Sequence, residues 1–250
     1  IRVPATDILR KSATEAARAT NCDLSAICKC CNGKKPRHKG FVWEWKEKPQ
    51  VKKWFVISDV HSYLYEMKQA LTAAGFDKDN PEHGLISCGD LLDRGPRSLG
   101  VLQYVLSIPK DRRIFIRGNH EDLLEDCISR RDFYPNDISN GTLKTIFNLC
   151  GLQDDAFWFG IPGDTNSDYH QIFDRVANVK PLWDYLAECV DFYELGTYIF
   201  VHSWVPIGVT DLRQATKEEW RSARWGNPFK LWNRGYRIPD KIVVVGHWHT

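Results

Sequence analysis

The chain has 250 residues, of which 43% are hydrophobic and 26% are charged, and its net charge is +2. This composition is typical of a globular protein with one good-sized domain and a small additional module. No apolar run approaches the roughly 20 residues of a membrane-spanning helix, so we expect no membrane partner. The charge is uneven: residues 1–53 carry a net +8 and the rest carry a net −6. A basic front indicates either a polyanion-binding module or a solvated basic terminus.

Two short helices are predicted at the front of the chain, over residues 12–20 and 24–32. Ser12 is the expected N-cap of the first helix, and Gly33 is the expected stop of the second. Two short helices across a tight turn form a helix-turn-helix, whose second helix can enter the major groove of DNA.

This front segment resembles the small DNA-binding repeat of intron-encoded homing endonucleases over about residues 8–46. The resemblance depends on Ala13–Ala16, the stretch SAICKCCNGKKPRHKG and the closing residues 40–43. It implies that the second helix and the basic loop contact duplex DNA, through Lys29, Lys34, Lys35 and Arg37. A docking or oligomerisation module that keeps the fold without the DNA is the alternative. We therefore expect a front module over residues 1–46 and a linker over 47–53.

The eight cysteines are mostly scattered singly along the chain. They are Cys22, Cys28, Cys30, Cys31, Cys88, Cys127, Cys150 and Cys189. The spacing of the tight group at 28, 30 and 31 matches no usual paired C-x-x-C zinc pattern. The scatter favours a reducing, cytoplasmic compartment over a disulfide framework.

From residue 51 onward, apolar strands alternate with helices. Strands are predicted at 51–59, 84–90 and 112–119, and helices at 62–74, 97–107 and directly after 119. Strand–helix units repeated at this interval predict a layered α/β fold with parallel strand pairing. Residues 129–190 are predicted to be a largely helical insertion, and later strands end near His202 and His247.

Each of these strands is followed by side chains that bind metal ions. They are Asp59, His61, Asp90, Asn119, His202 and His247. Because ligands gather outside the carboxyl ends of strands in α/β sheets, we expect these side chains to converge. A lone Asp at a strand end is often only a helix cap, but the repetition along successive strands favours a shared metal site.

Two divalent ions about 3.5–4 Å apart need a bridging carboxylate and a mixture of nitrogen and oxygen ligands. Asp90 is the candidate bridge. Asp59 and His61, two residues apart in an extended segment, are expected to bind one ion. Asn119, His202 and His247 are expected to bind the other. His249 would either return to the first ion or line the pocket.

The local motifs occur in a diagnostic order. They are Asp59-Val60-His61, Gly89-Asp90-Leu91-Leu92-Asp93-Arg94-Gly95, Gly118-Asn119-His120-Glu121, Val201-His202-Ser203 and Gly246-His247-Trp248-His249. Together they resemble the calcineurin-like metallophosphoesterase superfamily over about residues 54–250. The D-x-x-D-R-G and R-G-N-H-E forms are similar to its phosphoprotein-phosphatase branch. That branch includes bacterial and phage serine/threonine phosphatases and symmetrical diadenosine tetraphosphate hydrolases.

The resemblance implies a layered α/β fold, a β-sandwich flanked by helices behind the small helix-turn-helix module. It also implies two divalent metal ions (Mn, Fe or Zn) holding a bridging hydroxide that attacks phosphorus in line. Arg94 would clamp phosphate oxygens, and His120, oriented by Asp93, would protonate the leaving oxygen; alternatively, Asp93 and Arg94 merely pair with each other. A second phosphate-binding arginine is expected at Arg224, or otherwise at Arg221.

Two departures from the family pattern are visible. Ser58 and Ser62 stand where relatives usually carry glycine, and we expect the site to tolerate both. The chain stops at Thr250, directly after the last motif, where relatives carry further strands, so C-terminal strands are expected to be missing.

The leading functional hypothesis is a protein serine/threonine phosphatase acting on phosphomonoesters. Alternatives are a diadenosine tetraphosphate hydrolase and a nucleic-acid phosphatase or phosphodiesterase guided by the front module. A DNA-binding regulator with a relic metal site is the alternative outside the enzymes. The expected partners are therefore a phosphoprotein or nucleotide substrate and duplex DNA.

Overall fold

A computed structural model of the chain describes residues 2–3, 8–9, 13–39, 41–43, 50–152 and 166–248. The chain divides into two compact units. The front unit comprises residues 1–53 and 78–82, and the second unit comprises residues 54–77 and 83–250. Part of the predicted linker, residues 47–49, lies outside the described residues, as do Ser12 and His249.

The front unit contains a short antiparallel pair of strands, β1 (Arg2–Val3) and β2 (Ile8–Leu9). Two helices follow, α1 (Ala13–Thr20) and α2 (Leu24–Cys31). The Asp23 side chain accepts a hydrogen bond from the Ala26 N–H at 2.7 Å, which caps α2. A small core joins the helices to the chain that follows them. It consists of Ala13, Ala16, Cys22, Ile27, Cys30 and Trp43.

The second unit begins with alternating strands and helices. In chain order these are β3 (Lys53–Ile57), α3 (Leu64–Ala73), β4 (His83–Ser87), α4 (Ser98–Ser107), β5 (Arg113–Ile116) and α5 (Asn119–Arg130). A largely helical stretch follows, as the sequence predicts, with α6 (Pro135–Asn140), α7 (Thr142–Leu149), α8 (Asn166–Ala177) and α9 (Lys180–Glu188). The remaining elements are β6 (Cys189–Val190), β7 (Tyr193–Leu195), β8 (Tyr198–Phe200), α10 (Lys217–Arg224), α11 (Pro228–Asn233) and β9 (Ile242–Val244).

The strands of this unit form two sheets. One has the order β3-β4-β5-β6, in which β4, β5 and β6 run parallel. The other has the order β7-β8-β9, in which β7 and β8 are antiparallel and β8 and β9 are parallel. The mixed α/β architecture expected from the sequence is confirmed.

Alternating side chains bury both faces of the first sheet. Leu85 and Phe115 belong to the large core that the flanking helices cover. Their neighbours Ile86 and Ile116 point the other way and share a core with Phe200 of the second sheet. Successive side chains of a strand point to opposite faces of the sheet. Because both faces of this sheet are buried, consecutive positions in β4 and β5 are apolar.

The strands are shorter than the sequence predicts. β3 ends at Ile57, two residues before Asp59, and β4 ends at Ser87, three residues before Asp90. Asp59 and Asp90 therefore lie in loops rather than on the last strand residues, and Asn119 is the first residue of α5. The predicted strands were too long because the apolar pattern continues into buried loop residues, such as Cys88.

Candidate metal centre

The loops after the strands hold their side chains with unusual backbone conformations. Among the described residues, left-handed φ values occur at Asp59 (51°), His61 (47°), Asp90 (54°) and His247 (68°). Such conformations are disfavoured for residues with a Cβ atom and concentrate at functional sites. The extended conformation expected for the segment from Asp59 to His61 is therefore wrong, since both residues are left-handed.

The Asp90 carboxylate is the centre of the cluster. Its Oδ2 atom lies 3.3 Å from His202 Nε2, 3.9 Å from His120 Nε2 and 4.0 Å from His61 Nε2. Two groups with metal-ligand spacing share this aspartate: His61 with Asp90 and His120, and Asp90 with His202 and His247. Asp90 thus occupies the position that a carboxylate bridging two ions would take.

The orientation of two imidazoles fits metal binding. His61 Nδ1 lies 2.9 Å from the Leu92 carbonyl oxygen, and His202 Nδ1 lies 2.7 Å from the Cys88 carbonyl oxygen. Because a carbonyl oxygen only accepts, both Nδ1 atoms carry a proton, and each Nε2 atom is turned toward Asp90. Metal-binding histidines usually donate their second ring N–H in this way. The donor set therefore fits divalent ions.

Asn119 and His247 join His202, as the sequence predicts. Asn119 Oδ1 is 2.8 Å from His202 Nε2, and His247 Nδ1 is 3.0 Å from the same atom. Asn119 Oδ1 and His247 Nδ1 can accept a proton from His202 Nε2, and all three atoms would face a cation that took the place of that proton.

The Asp59 carboxylate faces the second sheet's loop. Its Oδ2 atom accepts the His247 N–H at 2.8 Å and the Ser58 hydroxyl at 2.5 Å. His61 is grouped with Asp90 and His120, and the expectation that Asp59 and His61 bind one ion stays a prediction. Ser58, which replaces a family glycine, is accommodated as a hydrogen-bond donor to Asp59.

His120, Asp93 and Arg94 lie beside the Asp90 cluster. His120 Nδ1 is 2.7 Å from Asp93 Oδ2, and the Thr142 hydroxyl donates to the same carboxylate oxygen at 2.8 Å. Arg94 is exposed, and its Nη2 atom is 3.2 Å from His120 Nε2. A phosphate oxygen near His120 Nε2 would therefore also lie within reach of Arg94. Asp93 contacts His120, so the alternative of a simple pair between Asp93 and Arg94 is not favoured by these contacts.

Glu121 is a buried residue for which the sequence predicts no role. Its carboxylate accepts the N–H groups of Asp90 (3.0 Å), Leu91 (3.1 Å) and Gly118 (2.8 Å) and the Tyr185 hydroxyl (2.9 Å). It thus ties the loop that carries Asp90 to the start of α5. Its position in the R-G-N-H-E motif was the available signal.

The backbone of Gly118 approaches Asp90 so closely that only glycine fits at this position. A Cβ atom at this position would lie 2.1 Å from Asp90 Oδ1 and 2.7 Å from the Asp90 backbone nitrogen. Both distances are far below van der Waals contact, so any side chain here would displace the central carboxylate.

Burial and charge together set the protonation of the cluster. Burial disfavours the charged forms, yet His202 and His120 hold the pKa of Asp90 well below its usual range. Burial also opposes the charge on His202, but Asp90 outweighs it and raises the pKa of His202 to about 9. Burial, reinforced by His202, lowers the pKa of His247 to about 4. A divalent cation at this point would displace the proton of His202.

The two candidates for the second phosphate-binding arginine are engaged elsewhere. Arg224 is buried, with Nη1 2.7 Å from Asp122 Oδ2 and a second ion pair to Asp191. Arg221 pairs with Asp126. Since two carboxylates occupy the Arg224 guanidinium, this geometry does not support its predicted role as a phosphate ligand. Helix periodicity alone does not reveal which of two arginines turns inward.

The predicted DNA-binding side chains lie in the front unit and are exposed. They are Lys29, Lys34, Lys35 and Arg37. The backbone N–H groups of Lys34 and Lys35 donate to the Lys29 carbonyl oxygen at 2.8 and 3.2 Å. The end of α2 and the start of the basic loop therefore form one positively charged turn.

The fold and the clustered ligands define a phosphoesterase-type metal site, and comparison with protein families agrees. The model of the calcineurin-like phosphoesterase family matches residues 53–250. The chain belongs to this family.

Similarity to curated proteins is local. A stretch of 67 residues, 27% of this chain, is 42% identical to the symmetrical bis(5′-nucleosyl)-tetraphosphatase of Hamiltonella defensa and covers 23% of that protein. Another, covering 28% of this chain, is 34% identical to the asymmetrical bis(5′-nucleosyl)-tetraphosphatase PrpE of Anoxybacillus flavithermus and covers 31% of it. The matched stretch thus spans about a quarter to a third of these relatives. A solved metallophosphoesterase from Sphaerobacter thermophilus aligns with 61% of this chain and 46% of its own, at 20% identity and a TM-score of 0.35.

Across the described ranges, no helix combines the length and apolar character needed to cross a bilayer. All eight cysteines are free thiols.

Proposed function

We propose that the chain is a metal-dependent phosphoesterase whose substrate is a nucleotide of the bis(5′-nucleosyl) tetraphosphate type. The observation that carries this proposal is the convergence of three imidazole Nε2 atoms on Asp90 Oδ2 within 3.3–4.0 Å. The nucleotide class is supported by the names of the curated relatives. The free thiols fit a reducing cytoplasm.

Two divalent ions would be held by the sequence-predicted ligands around Asp90. When bound, they would supply Lewis-acid stabilisation of phosphate oxygens and lower the pKa of water. Mn, Fe and Zn all suit such a mixed set of oxygen and nitrogen ligands.

Phosphate binding and proton transfer would be carried out by Arg94, His120 and Asp93. Arg94 would bind phosphate oxygens, because its exposed, planar guanidinium offers two parallel donors. His120 would donate a proton from Nε2 to the leaving oxygen. Burial opposes the charge on His120, but the hydrogen bond to Asp93 raises its pKa, which keeps the imidazole protonated at higher pH. Asp93, in turn, fixes the ring through Nδ1.

A substrate panel tests the proposal. The protein loaded with Mn²⁺ is offered diadenosine tetraphosphate, a serine phosphopeptide, 5′-phosphorylated DNA and a generic aryl phosphate. We expect metal-dependent hydrolysis with diadenosine tetraphosphate as the best substrate. A preference for the phosphopeptide would favour membership of the protein serine/threonine phosphatases. Absence of metal-dependent turnover on all four substrates would contradict the proposal.

We also propose that residues 1–46 are a DNA-binding module and that residues 54–250 form the phosphoesterase domain. The support is the exposed positive turn formed by Lys29, Lys34 and Lys35, next to Arg37. Binding through phosphates should weaken steeply as the salt concentration rises, because condensed counterions are released. A titration of duplex DNA at 50 and 200 mM salt measures this. No binding at low salt would contradict the role.

A further inference from the structure

Two tryptophans stand exposed beside the candidate metal centre. Trp225 directly follows α10, and Trp248 directly follows His247. Each exposes 47% of its surface. Leaving this much indole surface in water forgoes the free energy of burying it. A pair of such side chains next to a reactive site therefore suggests a ligand that covers them.

Both indoles flank the same metal-site histidine. The ring centroid of Trp225 lies 6.2 Å from that of His247, and the ring centroid of Trp248 lies 5.8 Å from it. The interplanar angles are 87° and 76°, so both indoles meet the imidazole edge to face. Their orientation is thus set by the ring that also belongs to the metal cluster.

Hydrogen bonds hold this edge of the site in place. Trp248 Nε1 donates to the Gly226 carbonyl oxygen at 3.0 Å, and the Ser203 hydroxyl donates to the same oxygen at 2.6 Å. Ser203 directly follows His202, and Gly226 directly follows Trp225. The two tryptophans are therefore tied to both metal-site loops of the second sheet and are preorganised for binding.

Gly226 also lines a cavity of about 400 Å³. Trp204, Lys230 and Arg234 contribute to its lining. An exposed aromatic pair beside His247 of the candidate metal centre suits a ligand that joins a planar ring to phosphate groups. A phosphorylated serine or threonine side chain carries the phosphate without such a ring.

We propose that Trp225 and Trp248 form a stacking site for a nucleobase of the substrate. This inference rests on the proposed function, because it assumes that phosphate binds at the neighbouring metal centre. Base–indole stacking tolerates any base, since each base has a π face. The pair would therefore select nucleotides as a class rather than one nucleotide.

Binding of two matched probes tests the stacking site independently of turnover. Adenosine 5′-(α,β-methylene)diphosphate and methylenediphosphonate both carry a P–C–P link that resists hydrolysis, and they differ by the adenosine. Isothermal titration calorimetry of the full chain with Mn²⁺ compares the two affinities. We expect the wild-type protein to prefer the adenosine-containing probe by about five- to a hundredfold, which is the range of base stacking on an aromatic side chain.

Four variants locate the preference. Trp225→Leu and Trp248→Leu should each reduce it while leaving methylenediphosphonate binding intact, whereas Trp225→Phe should retain most of it. Trp232→Leu is the matched control, because Trp232 is similarly exposed (52%) but its ring packs against Arg237. It should bind both probes as the wild type does.

Three outcomes would overturn the inference. The first is equal affinity of the wild type for both probes. The second is an unchanged preference in both leucine variants. The third is an equal loss of affinity for both probes in Trp225→Leu and Trp225→Phe. The proposed function fails separately, through absence of hydrolysis on the substrate panel. A base preference lost in the leucine variants would support the stacking site even if no hydrolysis were found.

Discussion

The two units carry their charged side chains in opposite ways. In the front unit, the predicted DNA-binding residues are exposed. In the second unit, Asp90, Asp93, His120 and Glu121 are each at least 97% buried. Burying a charge is costly unless partners compensate it, whereas exposing one costs little.

This difference decides how much each region reveals about its role. A buried carboxylate with convergent imidazoles requires an explanation, and a metal site supplies one. An exposed lysine is compatible with DNA binding, docking or simple solvation. Substitutions of these buried residues should therefore have large effects on activity or stability, and substitutions of the exposed front-unit residues should have small effects on both.

The largest effect is expected from Asp90→Asn. The amide lacks the negative charge that both groups of ligands share, so metal-dependent turnover should be abolished. Activity toward the substrate panel and bound metal, measured by plasma mass spectrometry, check this. Asp184→Asn is the matched control, because Asp184 is a half-exposed partner of Lys180 on α9. Near-wild-type turnover in Asp90→Asn would refute the dinuclear site.

His120→Asn should lower kcat by about 10²–10⁴-fold for substrates with poor leaving groups, which is the usual contribution of a general acid. With aryl phosphates, whose leaving group needs no proton, kcat should fall far less. Because Asp93 raises the pKa of His120, the wild-type rate should fall as pH rises through that raised pKa. The variant should lack this alkaline limb.

Equal losses on both kinds of substrate, together with reduced metal content, would contradict a general-acid role. They would indicate instead that His120 is a metal ligand, as its place beside His61 and Asp90 allows.

A smaller effect is expected from Tyr185→Phe. Tyr185 is fully buried, and its hydroxyl donates to Glu121 Oε1 at 2.9 Å. Loss of this donor leaves a buried carboxylate short of one partner, so the free energy of unfolding should fall by about 1–3 kcal/mol. Urea denaturation measures it. Tyr65→Phe, at an exposed position (60%), is the control and should leave the free energy of unfolding unchanged. Equal stability of both variants would contradict the role assigned to Glu121.

The sequence predicted the fold of the second unit well, because two regular signals coincide there. Apolar runs such as those around Leu85 and Phe115 mark strands buried on both faces. Polar ligands then follow at the same edge of each sheet. Asn119, His202 and His247 could be grouped from this rule alone, and the structure brings them within hydrogen-bonding distance.

What the sequence could not supply depends on loop geometry and on the direction of single side chains. The left-handed backbone at Asp59 and His61 replaces the extended segment that the sequence predicts. The inward turn of Arg224 toward Asp122 and Asp191 depends on partners about 100 and 30 residues away, respectively. Neither the backbone conformation nor the side-chain direction has a signature in the local sequence, because both arise from tertiary packing.

The smallest effects should come from the double variant Lys34→Ala/Lys35→Ala in the front unit. Both side chains are exposed, so the free energy of unfolding should change by less than about 0.5 kcal/mol, and hydrolysis of diadenosine tetraphosphate should be unaffected. Duplex DNA affinity should nevertheless fall, and the slope of log affinity against log salt should decrease in magnitude by about 2, since two phosphate contacts are lost. Lys180→Ala, on α9 of the second unit, controls for the loss of surface charge. If the double variant and Lys180→Ala showed the same salt slope as the wild type, the positive turn would not be the DNA-binding surface, and the basic front would be no more than a solvated face.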